Sequence, residues 1–368
     1  MNLIRYAYIK NGDVISQLNR LNKTCEHTTS GPDAFLNDLL LSIGQSPLLL
    51  IGHGDSNSSL IEKNIIAFVY SARFTLFGKF SAQFFSMFSV FFNLLRFKPN
   101  RIICGRTGAM FWSCYLYSRL FAVPMVHSRH NQDICNKSKL HDKFRDVLDY
   151  WCIRHAKSVL CHGPYLKQQL LDIKLNSKRI FEFDIDFSDM VSMPDKRNSK
   201  HQFNLNENIV LYIGRVQENK GIFDLLDAMT DLLKNSSKNK LIYAGGGEDH
   251  DMLSKEVTAR GLDGSVLLLG DVLHNKIWEL ISSATIVVAP TQPTFPEGRC
   301  MVAMEALMSG VPVVAPIFGP FPFLIHNNQD GVSGRVNWVW DNKLKKMAAG
   351  RFGLKSNKAT LDMTVAGA

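Results

Sequence analysis

The run NIVLYIG, Asn208–Gly214, is apolar, β-branched and stopped by a glycine, which is how a buried strand reads. GIFDLLDAMTDLL, Gly221–Leu233, follows, with apolar residues at Ile222, Leu225, Leu226, Met229, Leu232 and Leu233. Spacings of three and four mark one face of a helix. The pattern then repeats. Strands are predicted at Lys240–Ala244, Val266–Leu269, Thr285–Ala289 and Pro312–Ala315, and helices at Asp249–Arg260, His274–Ser283 and Cys300–Ser309. Such alternation predicts a parallel sheet with helices on both faces.

The first half reads similarly. Strands are expected at Leu3–Ile9, Leu48–Ile51, Ile65–Tyr70, Arg101–Cys104, Val123–Val126, Ser158–Cys161 and Arg179–Phe183. Helical patterns lie at Asp33–Ile43, Lys79–Arg96, Met110–Phe121 and Lys143–Arg154. The polar, aperiodic stretch 189–206 reads as a linker. The expected class is therefore α/β, with two Rossmann-like, doubly wound domains facing across a cleft. They occupy residues 1–188 and 207–340, and 341–368 forms a short tail or helix. Ligands of such sheets bind beyond the carboxyl ends of the strands, so motifs just after strands carry most weight.

Composition narrows the function classes. The 368 residues are 46 % hydrophobic and 20 % charged, enough for sizeable cores. The net charge of +9 is uneven: residues 1–190 carry 23 basic and 15 acidic side chains, the remainder 19 and 18. An anionic surface or ligand would meet the first half. No nucleic-acid-binding motif accompanies the charge. Seven cysteines at scattered positions, without C-x-x-C spacing, argue against a disulfide scaffold or a Cys-based metal site and for a reducing, cytoplasmic compartment. The start MNLIRYAYIKNGD reads as a first strand, not a signal peptide. The longest uncharged apolar stretch, Phe80–Leu95, is 16 residues and interrupted by polar side chains, too short to span a bilayer.

Three motifs follow strands. In Gly214–Gly221, Arg215 and Lys220 stand five residues apart in a strand-to-helix turn, a pairing suited to a diphosphate. Two ordinary surface cations in a solvated loop fit equally. Gly245-Gly246-Gly247 permits close backbone approach to an anion, or simply a tight turn. In PEGRCMVAMEAL, Pro296–Leu307, Glu297 precedes a helix whose N-terminus, around Arg299, Cys300, Met301 and Val302, offers free N–H groups to phosphate. Glu305 lies two turns inside that apolar helix, where a carboxylate needs hydrogen-bond donors such as ribose hydroxyls. A dipole-favoured Glu plus an exposed Glu is the plain alternative. Asp249-His250-Asp251 is literally D-x-D, but it reads as helix N-terminal acids, and no metal site is expected.

GRVQENKG, AGGGE and PEGRCMVAMEALMSGVPVVA, in that order, resemble the C-terminal domain of the retaining GT-B glycosyltransferases of family 4. The two glutamates separated by seven residues and the following Gly310-Val311-Pro312-Val313 carry the resemblance. It implies that Gly214, Arg215, Lys220, Gly245, Gly246 and the Arg299–Val302 segment bind the donor diphosphate, Glu305 the ribose and Glu297 the transferred sugar. Gly31 and Asp33 stand where the family has its N-terminal glycine loop. Pro124-Met125-Val126-His127-Ser128-Arg129-His130 fits a strand-end pattern that points to His130 near the sugar, with His127 the less favoured choice. Glu182-Phe183-Asp184, Gly163 and Gly319–Phe323 depart from the family pattern.

The resemblance implies retaining transfer of a sugar from a nucleotide-diphosphate sugar, used as substrate with no cofactor, to a glycan or lipid-linked acceptor. Arg215 and Lys220, with Glu297 and His130, form the catalytic set. Surface polysaccharide or lipopolysaccharide synthesis is the implied setting. A weak scaffold or partner subunit of this fold and a sugar-nucleotide epimerase remain alternatives. The segment Phe68–Phe97 holds ten of 24 phenylalanines and only basic charges. It reads as a core helix or a lipid-facing one. With the basic first half, it predicts peripheral contact with the anionic inner face of the membrane.

Overall fold

The computed structural model describes residues 4–10, 12–23, 31–54, 56–71, 78–129, 140–183, 207–325 and 331–334. The expected linker 189–206, the tail 341–368 and His130 lie outside them. Contacts divide the chain into two compact units, Met1–Val191 and Ser192–Ala368.

The first unit contains β1 (Tyr6–Ile9), α1 (Val14–Lys23), α2 (Gly31–Ile43), β2 (Leu48–Gly54), β3 (Ser58–Glu62), β4 (Ile65–Ser71), α3 (Gly78–Phe97), β5 (Arg101–Cys104), α4 (Ala109–Leu120), β6 (Met125–Arg129), α5 (Leu140–His155), β7 (Ser158–His162), α6 (Gly163–Asp172) and β8 (Ile180–Phe183). Its strand order is β3-β4-β2-β1-β5-β6-β7-β8. All neighbours are parallel except β3 against β4. The chain leaves β1 toward β2 and later resumes on β1's other side at β5, so the winding reverses between β1 and β5. One core, with Val90, Leu94, Phe111 and Ile153, lies under α3–α6. The other, with Val14, Leu18 and Leu36, lies under α1 and α2.

The second unit contains β9 (Asn208–Ile213), α7 (Ile222–Asn235), β10 (Asn239–Ala244), α8 (His250–Ala259), β11 (Val266–Leu268), α9 (His274–Ser283), β12 (Ile286–Val288), α10 (Met301–Met308), β13 (Val313–Pro316) and β14 (Gly331–Gly334). The strand order is β11-β10-β9-β12-β13-β14, all parallel. The winding reverses between β9 and β12. All six apolar residues read as the inner face of α7 are buried.

Some sequence expectations need correction. The strand expected at Val123–Val126 begins at Met125, because Pro124 has no N–H to donate to the ladder. That shift puts His127 inside the strand, buried against Phe111 at 4.6 Å between ring centroids. The strand expected from Leu3 starts at Tyr6. Helices α1 and α6 and strands β3 and β14 were not anticipated. Strand β3 is largely exposed and so lacks an apolar pattern, and β14 carries two glycines in four residues.

Helix α3 is part core and part exposed. Val90 and Leu94 are buried, whereas Phe85, Phe88 and Phe92 are 61, 55 and 72 % exposed. Asn93 donates from Nδ2 to the Tyr70 hydroxyl and to the Ser89 carbonyl at 2.8 Å. Asn93 therefore meets the sheet, Phe91 and Phe97 pack against the core, and Phe85, Phe88 and Phe92 meet solvent. Among the described residues no helix is long and apolar enough to cross a membrane.

Candidate functional site

The reversal between β9 and β12 brings two loops together at the carboxyl ends of these strands. The loop after β9 runs from Gly214 through a 3-10 turn, Glu218–Lys220, to Gly221. The loop after β12 runs on to α10. They are stitched by Gln292 N–H donating to Asn219 O at 3.0 Å and Gln292 Nε2 donating to Asp224 Oδ2 at 2.8 Å.

The stitching brings Lys220 Nζ to 2.6 Å from Glu297 Oε2, an ion pair with both side chains mostly buried. Thr291 Oγ1 donates to the same oxygen at 3.4 Å. The Phe295 ring lies beneath both cations, its centroid 3.8 Å from Lys220 Nζ and 5.8 Å from Arg215 Cζ. A ring face attracts cations and holds them at one spot without neutralising them. Phe295 was not singled out from the sequence. Its only signal is its place two residues before Glu297.

Helix α10 starts from Cys300, which caps it without a side-chain hydrogen bond to the helix N-terminus. Burial, and next the negative charge of Glu297, push the Cys300 thiol up to about 12. Lys220 opposes this shift and Glu305 adds to it. Glu305 is 3 % exposed, and burial pushes its carboxyl up to about 7. No hydrogen bond to that carboxyl is formed among the described residues.

The glycines after β10 permit close backbone packing. A Cβ on Gly245 would stand 2.0 Å from Gly214 O, and one on Gly247 2.1 Å from Val216 O. The Gly245 and Gly246 amides are already used, donating to Gly270 O at 2.7 Å and Asp271 Oδ1 at 2.8 Å. These residues let the loops after β9 and β10 pack backbone to backbone. Asp249 Oδ2 accepts the Glu218 N–H at 2.7 Å and so shapes the Lys220 turn, while Asp251 is 98 % exposed. Asp249 and Asp251 thus serve separate places.

In the first unit, Gly31 is the first residue of α2. The strand ends carry a set of basic residues that the sequence reading passed over: Lys10 after β1, His53 on β2, Arg106 after β5, Arg129 on β6 and His162 on β7.

Residues 194–348 match the family described as Glycosyl transferases group 1. The match covers β9 to β14, the whole described part of the second unit. Alpha-D-kanosaminyltransferase of Streptomyces kanamyceticus is 26 % identical over 245 residues, 63 % of this chain and 62 % of that one. The chain spans about six-tenths of the length of the curated relatives it matches. Among solved structures, Anabaena HepE in complex with UDP is similar over 95 % of this chain and 90 % of that one, with a TM-score of 0.66 and 15 % identity. Sucrose-phosphate synthase from Thermosynechococcus elongatus gives a TM-score of 0.68 at 15 % identity, over 94 and 90 % of the two chains. The fold is that of the GT-B glycosyltransferases. All the C-terminal residues singled out, from Gly214 to Glu305, lie within the matched stretch.

Proposed function

We propose that this chain is a retaining glycosyltransferase that passes a sugar from a nucleoside-diphosphate donor to a glycan or lipid-linked acceptor. The observation that carries the reading is the convergence of Arg215 and Lys220 on Phe295, with Glu297 paired to Lys220 at the β9/β12 reversal and Glu305 buried in the helix that follows. Arg215 and Lys220, with the uncapped start of α10 at Met301 and Val302, oppose the charge that develops on the leaving diphosphate. Glu305 accepts hydrogen bonds from the ribose hydroxyls. Glu297 accepts them from the sugar, and Lys220 is shared between Glu297 and the diphosphate. His130 stands near the transferred sugar. The positive charge is supplied by side chains and amides, so transfer is independent of a divalent cation.

The setting proposed is the cytoplasm, at the inner face of the membrane, in synthesis of bacterial surface polysaccharide. The exposed Phe85, Phe88 and Phe92 and the basic first half support contact with an anionic lipid surface. The HepE complexes with UDP make uridine donors the first to try. The test is a panel of nucleotide sugars, with nucleotide release followed with and without lipid acceptor, in excess EDTA, and the product anomer read by NMR. Release with retention in EDTA supports the reading. Inversion, a strict cation requirement, or nucleotide binding without transfer to any acceptor counts against it.

A further inference from the structure

Basic side chains gather at the amino ends of β6 and β7 in the first sheet. A cavity of about 410 Å³ opens there, between the loop that leads from α4 into β6 and the loop that leads from α5 into β7. That volume is in the range of small-molecule sites. Ala122, Val123 and Pro124 form an apolar wall, and Arg119, His155 and Lys157 stand around it. None of the residues lining the cavity is acidic. Neither Arg119 nor Lys157 forms an ion pair or a side-chain hydrogen bond among the described residues.

Arg119 and His155 lie in the last turns of α4 and α5, where cations commonly face unpaired carbonyls. Here those carbonyls have other donors. Tyr117 O accepts the Phe121 N–H, Ser118 O the Val123 N–H and Cys152 O the Ala156 N–H. Arg154 O accepts from Arg179 Nη1 at 2.8 Å, and Lys157 O from Arg179 Nε at 3.3 Å. Ser118 Oγ donates to Val123 O at 2.5 Å and the Lys157 N–H to Met125 O at 3.2 Å, so both loops are pinned. The His155 ring leans on Trp151, centroids 4.6 Å apart, with Nδ1 2.7 Å from Trp151 O. A carbonyl oxygen only accepts, so Nδ1 carries the hydrogen and Nε2 is left for a ligand. The walls are fixed before any ligand arrives, and the cations are not spent on the helix ends. We propose that this cavity binds a small phosphate monoester, with Arg119, Lys157 and His155 Nε2 on its phosphate oxygens and the wall against its organic part. A dianion suits two cations, and the Arg fork matches phosphate geometry. The site lies at the sheet edge opposite the strand ends where doubly wound folds hold their substrates, and it is independent of the donor reading.

The full chain is titrated by calorimetry with hexose 6-phosphate, glycerol 3-phosphate and inorganic phosphate, with the unphosphorylated hexose as the blank. At least one ester should bind, and more tightly than inorganic phosphate, because the wall adds apolar contact. Arg119→Gln and Lys157→Gln should each weaken it about tenfold, the loss of one charged hydrogen bond. Both change exposed side chains, and thermal melts check that the variants fold. Arg119→Lys should fall between wild type and Arg119→Gln, since it keeps the charge and loses the fork. UDP affinity, read in the same preparations, should not change. No binding by either ester overturns the proposal, as does an ester that binds wild type and both variants alike. Inorganic phosphate binding as tightly as the esters overturns the role given to the wall. Weaker attachment of both variants to phosphatidate vesicles, with no soluble ester bound, also overturns it and makes the cavity part of a lipid-facing surface. Absence of UDP binding counts against the donor reading alone, because the ester titrations read this site directly.

Discussion

At the residue scale, the donor site turns on one ion pair and one buried acid. Lys220→Ala removes the point charge proposed to bind the diphosphate. It should weaken nucleoside-diphosphate binding by about 1.5–3 kcal/mol, the range for charged hydrogen bonds, as measured by calorimetry. Glu297→Gln leaves Lys220 without its carboxylate partner at 2.6 Å. Diphosphate affinity should hold or rise while turnover falls, and an equal loss of affinity in both variants would sink this division of labour. Glu305 sets the pH dependence. Its carboxyl has an ordinary value of 4.5 and sits at about 7 in the folded chain. The folded state therefore holds a proton that the unfolded state has released between these values. Ligand-free stability should fall as pH rises from about 4.5 through 7, by about 3 kcal/mol in all. Denaturation of Glu305→Gln at pH 5 and pH 8 should lack this fall. Ribose hydroxyls favour the ionised form, so nucleotide affinity should rise from pH 6 to pH 8, with protons released on binding. A flat profile would remove Glu305 from the ribose.

At the scale of elements, the site depends on loops packed closer than a Cβ allows. Gly221 has φ 74° and its Cβ would stand 2.0 Å from Pro290 O. Gly221→Ala or Gly245→Ala must push the loops after β9, β10 and β12 apart. Each should cost about 3 kcal/mol in urea melts, from overpacking and left-handed strain together. Gly264→Ala, with nothing within 4 Å and no left-handed backbone, is the matched control and should be near neutral. A near-neutral Gly245→Ala would show that these loops are not held at the spacing described. The same scale explains α3. Its phenylalanines were legible, but which of them face solvent was not, because packing of Val90 and Leu94 and the bond from Asn93 to Tyr70 on β4 set the inward side.

At the scale of the whole molecule, charge and exposed rings act together. The first 190 residues have a net charge of +8, and α3 presents three phenylalanines to solvent beside Arg96. Sedimentation with anionic vesicles should exceed that with neutral ones and weaken with salt, since exposed charges are screened over about 10 Å at 0.1 M. Changing Lys79, Arg96 and Lys98 together to Gln should reduce it without altering nucleotide affinity. Changing Phe85, Phe88 and Phe92 to Ser should reduce the part that survives in salt. Salt-insensitive binding, equal on neutral vesicles, would assign attachment to the rings alone. No binding would point to a soluble acceptor instead.

The sequence by itself determined the alternation of strands and helices, because burial on both faces forces short apolar strands and helices with one apolar side. It also determined the order of the motifs in the second unit and the spacing of Glu297 and Glu305. What it left open is what depends on non-local neighbours. Strand β3 is read as a strand only through its antiparallel partner β4, and β14 only through β13. Phe295 becomes part of the site because Gln292 bonds to the loop after β9, some seventy residues earlier. Gly245 and Gly246 read as anion contacts until the Gly270 carbonyl and the Asp271 carboxylate occupy their amides. Arg119, His155 and Lys157 belong to no motif in the sequence. They meet because β6 and β7 are neighbours in the sheet, which no local pattern encodes.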